Sequence, residues 1–390
     1  MKIGVLTLPL SSNYGGILQC YALQTVLERM GHEVVVLDRA SAAPSAGLVI
    51  RRCGSVLKCL VRRYIRGQKN IAILSPWSQT YLIDKSKLDD CSVLLKFIHK
   101  YLKITSPLRS SEALLKRVKK ENLDCLIVGS DLVWRECYSP FLTDCFAGFL
   151  PEDDKMLKIT YGASFGTSEN PISEQMLETC KRLSSRFDAI SVREKSADGL
   201  VEQYFGKHAE LVLDPTLLLG ADDYVIERPK TACSEATEHD TLVSYVLDTD
   251  GQKAKIANDV ACELGLKESF MGLSPKKSDG SPDKMIPVQS WLDNFRNASF
   301  VVTDSFHGCV FSVINRKPFI AIVNHSRGAD RFVSVLSQLG LEGRMVNDYE
   351  EYSARRSELI APIDYSDVYA RLQTLKAHSL GYLSGMLERK

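Results

Sequence analysis

Short apolar runs alternate with amphipathic stretches along most of the chain, the pattern of an α/β protein. Residues 3–8 (IGVLTL) form the first run, and SSNYGG breaks it. From Ile17 to Met30 the apolar residues Leu18, Ala22, Leu23, Val26 and Leu27 recur at helical spacing, and Gly31 follows as a C-cap. VVVLD (34–38) is a continuous β-branched run, which suits a buried parallel strand. Strand, glycine loop, helix and strand predict a right-handed βαβ unit. Alternation resumes with strands at DCLIVGSD (124–131), KITYGASFG (158–166) and DAISVRE (188–194), with a helix near 173–186. AELVLDPTLLL (209–219) reads as the last strand of a first domain, ended by Pro215.

A second domain is expected from Ala221 onward. Its strands are TLVSYVLD (241–248), SFMGL (269–273), SFVVTD (299–304) and KPFIAIV (317–323), separated by helices over 253–265, 291–298 and 305–316 and followed by one over 331–340. SPKKSDGSPD (274–283) is a surface loop by composition. The expected organisation is an N-terminal α/β domain over 1–220 and a C-terminal α/β domain over 221–345. A helical tail over 346–390 is expected to pack back on the first domain. The stretch 41–120 reads as a helical insertion in the first domain. At ~100–200 residues per domain, 390 residues suit two doubly wound domains facing a cleft.

Composition narrows the class. With 45% hydrophobic and 25% charged residues, the chain is neither collagen-like, disordered nor a coiled coil. A net charge of +1 gives no global steering toward nucleic acid or membrane. No apolar run approaches the ~18 residues of a membrane span, and the first residues read as a strand rather than a signal peptide. Eleven cysteines lie at scattered positions without a C-x-x-C pair. They read as reduced, buried thiols of a cytoplasmic protein, among them Cys125 and Cys262, and zinc and thioredoxin-like readings have no support. Charge is uneven in one place. Arg51, Arg52, Lys58, Arg62, Arg63, Arg66 and Lys69 follow one another with no acidic residue between Arg39 and Asp84. This run is either a solvated helix pair or a contact with an anionic polysaccharide precursor or lipid carrier at the inner face of a membrane.

Ligands of open α/β sheets bind beyond the carboxyl ends of the strands, where strand order reverses. Five segments qualify: Asn13-Tyr14-Gly15-Gly16, Gly129-Ser130-Asp131, Ser164-Phe165-Gly166, Arg193-Glu194 and Asp304-Ser305-Phe306-His307-Gly308. The first is not a dinucleotide fingerprint, since G-x-G-x-x-G is absent, but two glycines before a helix let backbone N–H groups approach an anion. Asp38 reads as an ordinary strand-end residue. His307 sits in the first turn of a helix behind a buried strand, with Ser305 as candidate N-cap. The helix dipole there lowers the imidazole pKa, and a bound phosphate or carboxylate raises it toward neutral, where it can transfer a proton. The bland alternative is a histidine that only holds the turn. Gly308 removes a side chain where a ligand can approach. Arg193 can fork onto a carboxylate or phosphate, or else pair with Glu194 or Asp198. Arg327 and Arg331 flank the next helix and add positive charge, or are solvated. No histidine pair has metal-ligand spacing.

Together these stretches resemble one family. NYGGILQCYALQTVLERMGHEV, VGSDLVW, YGASFG, ISVREKSA, LDPTLLL and TDSFHGCVFSVINRKPF are similar, in this order and spacing, to segments of the polysaccharide pyruvyl transferases. The resemblance runs from about residue 3 to 340 and fades over 41–120. Leu132, Arg135 and Cys309 depart from the residues common in the family (Gln, Asn and Thr). The resemblance implies a fold like the two-domain, GT-B-like glycosyltransferases. It further implies transfer of a pyruvyl group from phosphoenolpyruvate to two hydroxyls of a sugar, giving a cyclic ketal and phosphate. Donor binding is implied at Arg193 and at the segment holding His307, with His307 as general acid or base. Ser305, Phe306, Gly308 and Arg331 are expected beside the donor. Asn13, Tyr14, Gly15, Gly16 and Asp131 are expected on the sugar side, and Ser130 and Ser164 among the substrate-binding residues. No metal or cofactor is expected beyond the donor co-substrate. The implied partners are phosphoenolpyruvate and a free or lipid-linked sugar acceptor. Two other readings stay open: a nucleotide-sugar glycosyltransferase of the same fold, and a non-catalytic protein of polysaccharide assembly.

Overall fold

The protein is described by a computed structural model, which places residues 1–10, 13–41, 46–65, 73–74, 81–83, 85–139, 141–226, 240–248, 250–271, 285–324 and 328–388. The loop expected over 274–283 and Arg327 lie outside them.

The first domain runs β1 (Lys2–Leu6), α1 (Tyr14–Arg29), β2 (Glu33–Leu37), α2 (Ala46–Leu60), β3 (Ile73–Leu74), β4 (Tyr81–Ile83), α3 (Lys85–Tyr101), α4 (Ser111–Glu121), β5 (Cys125–Val128), β6 (Leu157–Thr160), α5 (Glu174–Ser184), β7 (Ser191–Val192), α6 (Lys195–Phe205) and β8 (Glu210–Leu211). Its sheet is parallel in the order β2-β1-β5-β6. Bridges from Ile159 to Ala189 and from Ala163 to Val192 continue it toward the parallel pair β7–β8. β5 is buried along its whole length, as a strand covered on both faces must be. The chain leaves β1 toward β2 and returns on the other side of β1 as β5. Strand order therefore reverses between β1 and β5.

The second domain runs β9 (Thr241–Tyr245), α7 (Gly251–Leu264), β10 (Lys267–Phe270), α8 (Val288–Asn297), β11 (Phe300–Thr303), α9 (Phe306–Ile314), β12 (Phe319–Ile322), α10 (Ala329–Leu339) and β13 (Met345–Val346). Its sheet, β10-β9-β11-β12-β13, is also parallel throughout and reverses between β9 and β11. The chain is thus an α/β protein of two Rossmann-like sheets. Three helices follow, α11 (Tyr349–Ala354), α12 (Arg356–Ile360) and α13 (Tyr365–Leu387). α13 lies across both domains. Tyr369 donates to the Ile314 carbonyl (2.9 Å), Ser379 Oγ accepts from the Leu213 N–H (2.9 Å) and Tyr382 donates to the Thr160 carbonyl (3.0 Å).

Three expectations are corrected here. The stretch 41–120 is not one helical insertion. It includes the antiparallel pair β3–β4, and Leu94, Phe97, Ile98, Leu114 and Val118 of α3 and α4 belong to the cores. Only α2 lacks buried residues among its described side chains. Both kinds of helix are amphipathic, so periodicity alone does not separate them. Residues 209–219 form a two-residue strand, after which Asp214 caps a 3-10 turn over Pro215–Leu218. Cys262 is exposed, because Ile256, Ala257, Val260 and Ala261 take the inner face of α7. Cys20, Cys125, Cys145, Cys180 and Cys309 are buried free thiols.

Candidate functional site

The two points of strand reversal face one another across a cleft of about 300 Å³. From the first domain, Leu8, Asn13, Tyr14, Gly15 and Asp131 line it. From the second come Asp304, Ser305, Phe306, His307 and Arg331. A hollow of about 260 Å³ adjoins it on the first-domain side, sharing Leu8, Asn13, Asp131 and Tyr138 and adding Gly16 and Ser41.

His307 is aimed by its helix. Ser305 is the N-cap of α9, its Oγ accepting from the Gly308 N–H (3.4 Å), while Thr303 Oγ1 accepts from the Ser305 N–H (3.0 Å). All nine residues of α9 are buried, so its orientation is fixed by packing on every side. The first turn ends in the cleft, bringing the positive end of the helix with it. Contrary to the expectation from sequence, Gly308 does not open space for a ligand. A Cβ there would overlap Thr303, so the glycine serves close contact between α9 and β11.

The His307 ring crosses to the first domain. It lies against Gly15, where any Cβ would overlap the imidazole. Its Nε2 has no hydrogen-bond partner among the described residues, and Asp214 Oδ2 stands 3.9 Å away. Burial is the leading cause that lowers the imidazole pKa to about 4, and the Asp214 carboxylate opposes it. A buried nitrogen without a partner beside a cleft is a vacant proton-transfer position.

Arg193 is not on the cleft wall. Its Nη1 donates to Asp214 Oδ2 (2.5 Å) and to Ser130 Oγ (3.3 Å), and Nη2 donates to Asp131 Oδ1 (3.1 Å). Its partners are Asp131 and Asp214 rather than Asp198, and Glu194 Oε2 is 3.9 Å from Nε. The same Asp214 accepts from the Thr216 N–H (3.0 Å) and hydroxyl (2.6 Å) through Oδ1. Glu194 is engaged elsewhere, its Oε1 accepting from Ser164 Oγ (2.7 Å) and from the N–H groups of Phe165 (2.9 Å) and Gly166 (3.1 Å). Ser164 is therefore sequestered behind the cleft. Ser130 is fully buried too, bonded through Oγ to the Gly162 carbonyl (3.0 Å) and through its N–H to Gln19 Oε1 (3.2 Å). Asp131, at φ 74°, holds a left-handed conformation that is costly for a carboxylate residue without a local reason. Its carboxylate between two arginines is such a reason, Arg331 Nη1 lying 3.9 Å from Oδ1.

Arg331 lines the cleft from α10, and burial lowers its pKa to about 10, which still leaves it charged at neutral pH. The guanidinium carbons of Arg193 and Arg331 lie 5.2 Å and 5.4 Å from the Phe306 ring centre, a double cation–π contact. Tyr14 ties the domains together, its hydroxyl donating to the Ile286 carbonyl (2.8 Å) and its ring stacking on Trp291 at 5.3 Å. Asp304 does not face a ligand alone. It accepts from the Leu247 (2.6 Å) and Asp248 (3.1 Å) N–H groups and from Lys253 (3.0 Å), holding the loop after β9.

Structure thus gathers Asn13, Tyr14, Gly15, Asp131, Ser305, Phe306, His307 and Arg331 around one cleft, with Gly16 in the adjoining hollow. It leaves Arg193, Ser130, Ser164 and Gly308 behind the wall. Sequence reasoning missed Asp214 as a site residue. Its one signal is an acid at a strand end immediately before Pro215.

The family model described as polysaccharide pyruvyl transferase matches residues 13–326. No curated protein matches. Among solved structures, MurG of Acinetobacter baumannii is 8% identical, with 100% of this chain and 99% of that one covered and a TM-score of 0.43. The S. aureus MnaA–UDP structure is 12% identical, with 99% and 97% covered and a TM-score of 0.49. The spinosyn rhamnosyltransferase SpnG is 11% identical, with 99% and 100% covered and a TM-score of 0.44.

Proposed function

As the chain belongs to the polysaccharide pyruvyl transferase family, we propose that it moves a pyruvyl group from phosphoenolpyruvate to two hydroxyls of a sugar in a polysaccharide or its precursor. The observation that supports this reading most is the partnerless His307 Nε2 beside Arg331 in a cleft between two sheet reversals.

The donor carries a carboxylate and a phosphate, and the second-domain wall suits both. Arg331 and the first turn of α9 hold the anionic end. That charge raises the His307 pKa from its depressed value, so the imidazolium forms when the donor is bound. His307 delivers a proton to the methylene carbon, and the adjacent carbon becomes an oxocarbenium centre. One sugar hydroxyl attacks it and returns its proton to the imidazole. Loss of phosphate regenerates the cationic centre, the second hydroxyl closes the ring, and its proton leaves with the phosphate. The products are a methyl-bearing cyclic ketal and hydrogen phosphate, with no net oxidation. The scheme calls for no metal or cofactor.

In this reading the sugar lies against Asn13, Tyr14, Gly15, Gly16 and Asp131 and reaches the adjoining hollow. Arg193 acts as a positioning residue, holding Asp131 and Asp214 where Arg331 and His307 require them.

The test is a thermal-shift panel of phosphoenolpyruvate, phosphate, pyruvate and nucleotide sugars. A ligand at a hundred times its Kd adds about 2.7 kcal/mol of stability. Stabilisation by phosphoenolpyruvate that is lost in Arg331→Met and reduced in His307→Gln is the expected result. It is followed by phosphate release that depends on added sugar acceptor. Stabilisation by a nucleotide sugar alone overturns the reading in favour of a glycosyltransferase.

A further inference from the structure

α2 and the π-helical turn that continues it, Val61–Ile65, present apolar side chains to solvent. Ile50 is 72% exposed, Leu57 65%, Tyr64 70% and Ile65 78%, with Val61 also open. Ile50, Leu57 and Val61 stand at i, i+7 and i+11, which is one helical face, and the π-helical turn carries the exposed Tyr64 and Ile65 beyond them. None of the described side chains from 50 to 65 is buried, so among the described residues no core covers that face. Scattered single apolar residues on a surface need no explanation, but a row on one face does.

The charges beside this row say what covers it. Arg51, Lys58 and Arg62 follow Ile50, Leu57 and Val61 by one position each, so they form a second row on the flank of the first. The wider run of seven basic residues between Arg39 and Asp84 has no acidic residue to offset it. An apolar row flanked by a cationic row matches an anionic bilayer: acyl chains take the first and headgroup phosphates the second. A protein partner would have to be both apolar and strongly acidic over the same strip, and a second copy of this chain would bring like charge against like. No described helix is long and apolar enough to cross a membrane, so the contact is peripheral.

Position gives the contact a use. Ser41 lines the hollow beside the cleft, and α2 begins five residues later at Ala46. Five Cα steps of at most ~3.8 Å bring the start of α2 within about 19 Å of the sugar side of the site. We propose that α2 and its continuation dock on an anionic membrane surface and hold the first-domain side of the cleft close to it. This inference does not depend on the donor being phosphoenolpyruvate.

The test is co-sedimentation of the full chain with vesicles of phosphatidylglycerol and phosphatidylcholine, against vesicles of phosphatidylcholine alone. Two triple variants accompany it, Leu57→Glu/Tyr64→Glu/Ile65→Glu and Arg51→Glu/Lys58→Glu/Arg62→Glu. All six side chains are outside the core, so both variants should melt with the parent. The expected result is binding to the anionic vesicles that salt reverses, weakened on the order of a hundredfold in each variant. Failure of the parent to bind anionic vesicles at low salt overturns the proposal, as does equal binding by the variants. A concentration-dependent dimer that the apolar variant abolishes also overturns it, since the face would then belong to a second copy. The phosphoenolpyruvate thermal shift of both variants should equal the parent's, which separates failure of docking from failure of the donor reading.

Discussion

The two points of sheet reversal share a topology and differ in charge. On the first domain, the loop after β5 and the turn after β8 bring two carboxylates, Asp131 and Asp214, onto one buried guanidinium, Arg193. On the second, the loop after β11 brings an imidazole without a partner, and α10 brings Arg331 onto the cleft wall. The first arrangement is closed: each charge has an opposite one within hydrogen-bond distance, and this gives rigidity. The second is open at the imidazole: His307 Nε2 stands 3.9 Å from Asp214 Oδ2, too far for a hydrogen bond to it. Two parallel sheets of corresponding strand order therefore enclose an ionic cluster on one side and keep a proton-transfer position on the other.

The sharpest way to break this contrast is at the histidine. His307→Ala should lower sugar-dependent phosphate release by about 10²–10⁴-fold, the range for losing a general acid–base. Gly15→Ala should approach that loss without touching His307, because the new methyl group displaces the ring. Steady-state assay of both variants at matched folding checks the point. If Gly15→Ala is as active as the parent, the close approach of Gly15 has no part in setting the imidazole.

Next come the two arginines. Arg193→Met leaves Asp131 and Asp214 buried without their cation and should cost about 3–5 kcal/mol in urea unfolding, as for other broken buried pairs. Arg331→Met should remove most of the phosphoenolpyruvate thermal shift, since Arg331 lines the cleft. An undiminished shift would take Arg331 out of the donor wall.

Acid should act through the open side. An imidazole whose pKa falls from 6.5 to about 4 on folding binds its proton more readily when unfolded. Its contribution to stability is full above pH 6.5 and is lost as the pH falls toward 4. Stability of the parent minus that of His307→Gln, measured between pH 7 and 4, should shrink across this window, while other titrating groups cancel in the difference. A flat difference contradicts the buried neutral ring. The smallest effect is expected at Tyr14→Phe, which removes one interdomain hydrogen bond and should cost about 1 kcal/mol in thermal unfolding.

Much of this was legible in the sequence, for identifiable reasons. Short β-branched runs such as VVVLD between helical stretches favour strands, so the two α/β layers followed from their alternation with helices. His307 was found because strand ends at a reversal are few, and its neighbours Ser305 and Phe306 came with it. What escaped depends on residues distant in the chain. Whether Arg193 faces a ligand is decided by Asp131 and Asp214, 62 and 21 positions away. The role of Gly308 depends on how closely α9 approaches Thr303. Division of 41–120 into a core part and an open helix depends on which apolar faces find a partner, and a periodic pattern carries no information about partners.

The placement of α13 has a mechanical consequence. Chain crosses from the first domain to the second near Gly220, where Asp223 pairs with Arg29 (2.7 Å) and Ala221 accepts from Arg296 (2.6 Å). It crosses back along α13, which is bonded to Ile314 at one end and to Leu213 and Thr160 at the other. Residues of both domains, among them Ile17, Leu18, Trp291 and Phe311, also belong to one continuous apolar core, and the Lys195 N–H donates across to Ser334 Oγ (3.1 Å). A large apolar interface works against relative domain motion. The strap and the shared core together therefore brace the cleft against hinge opening.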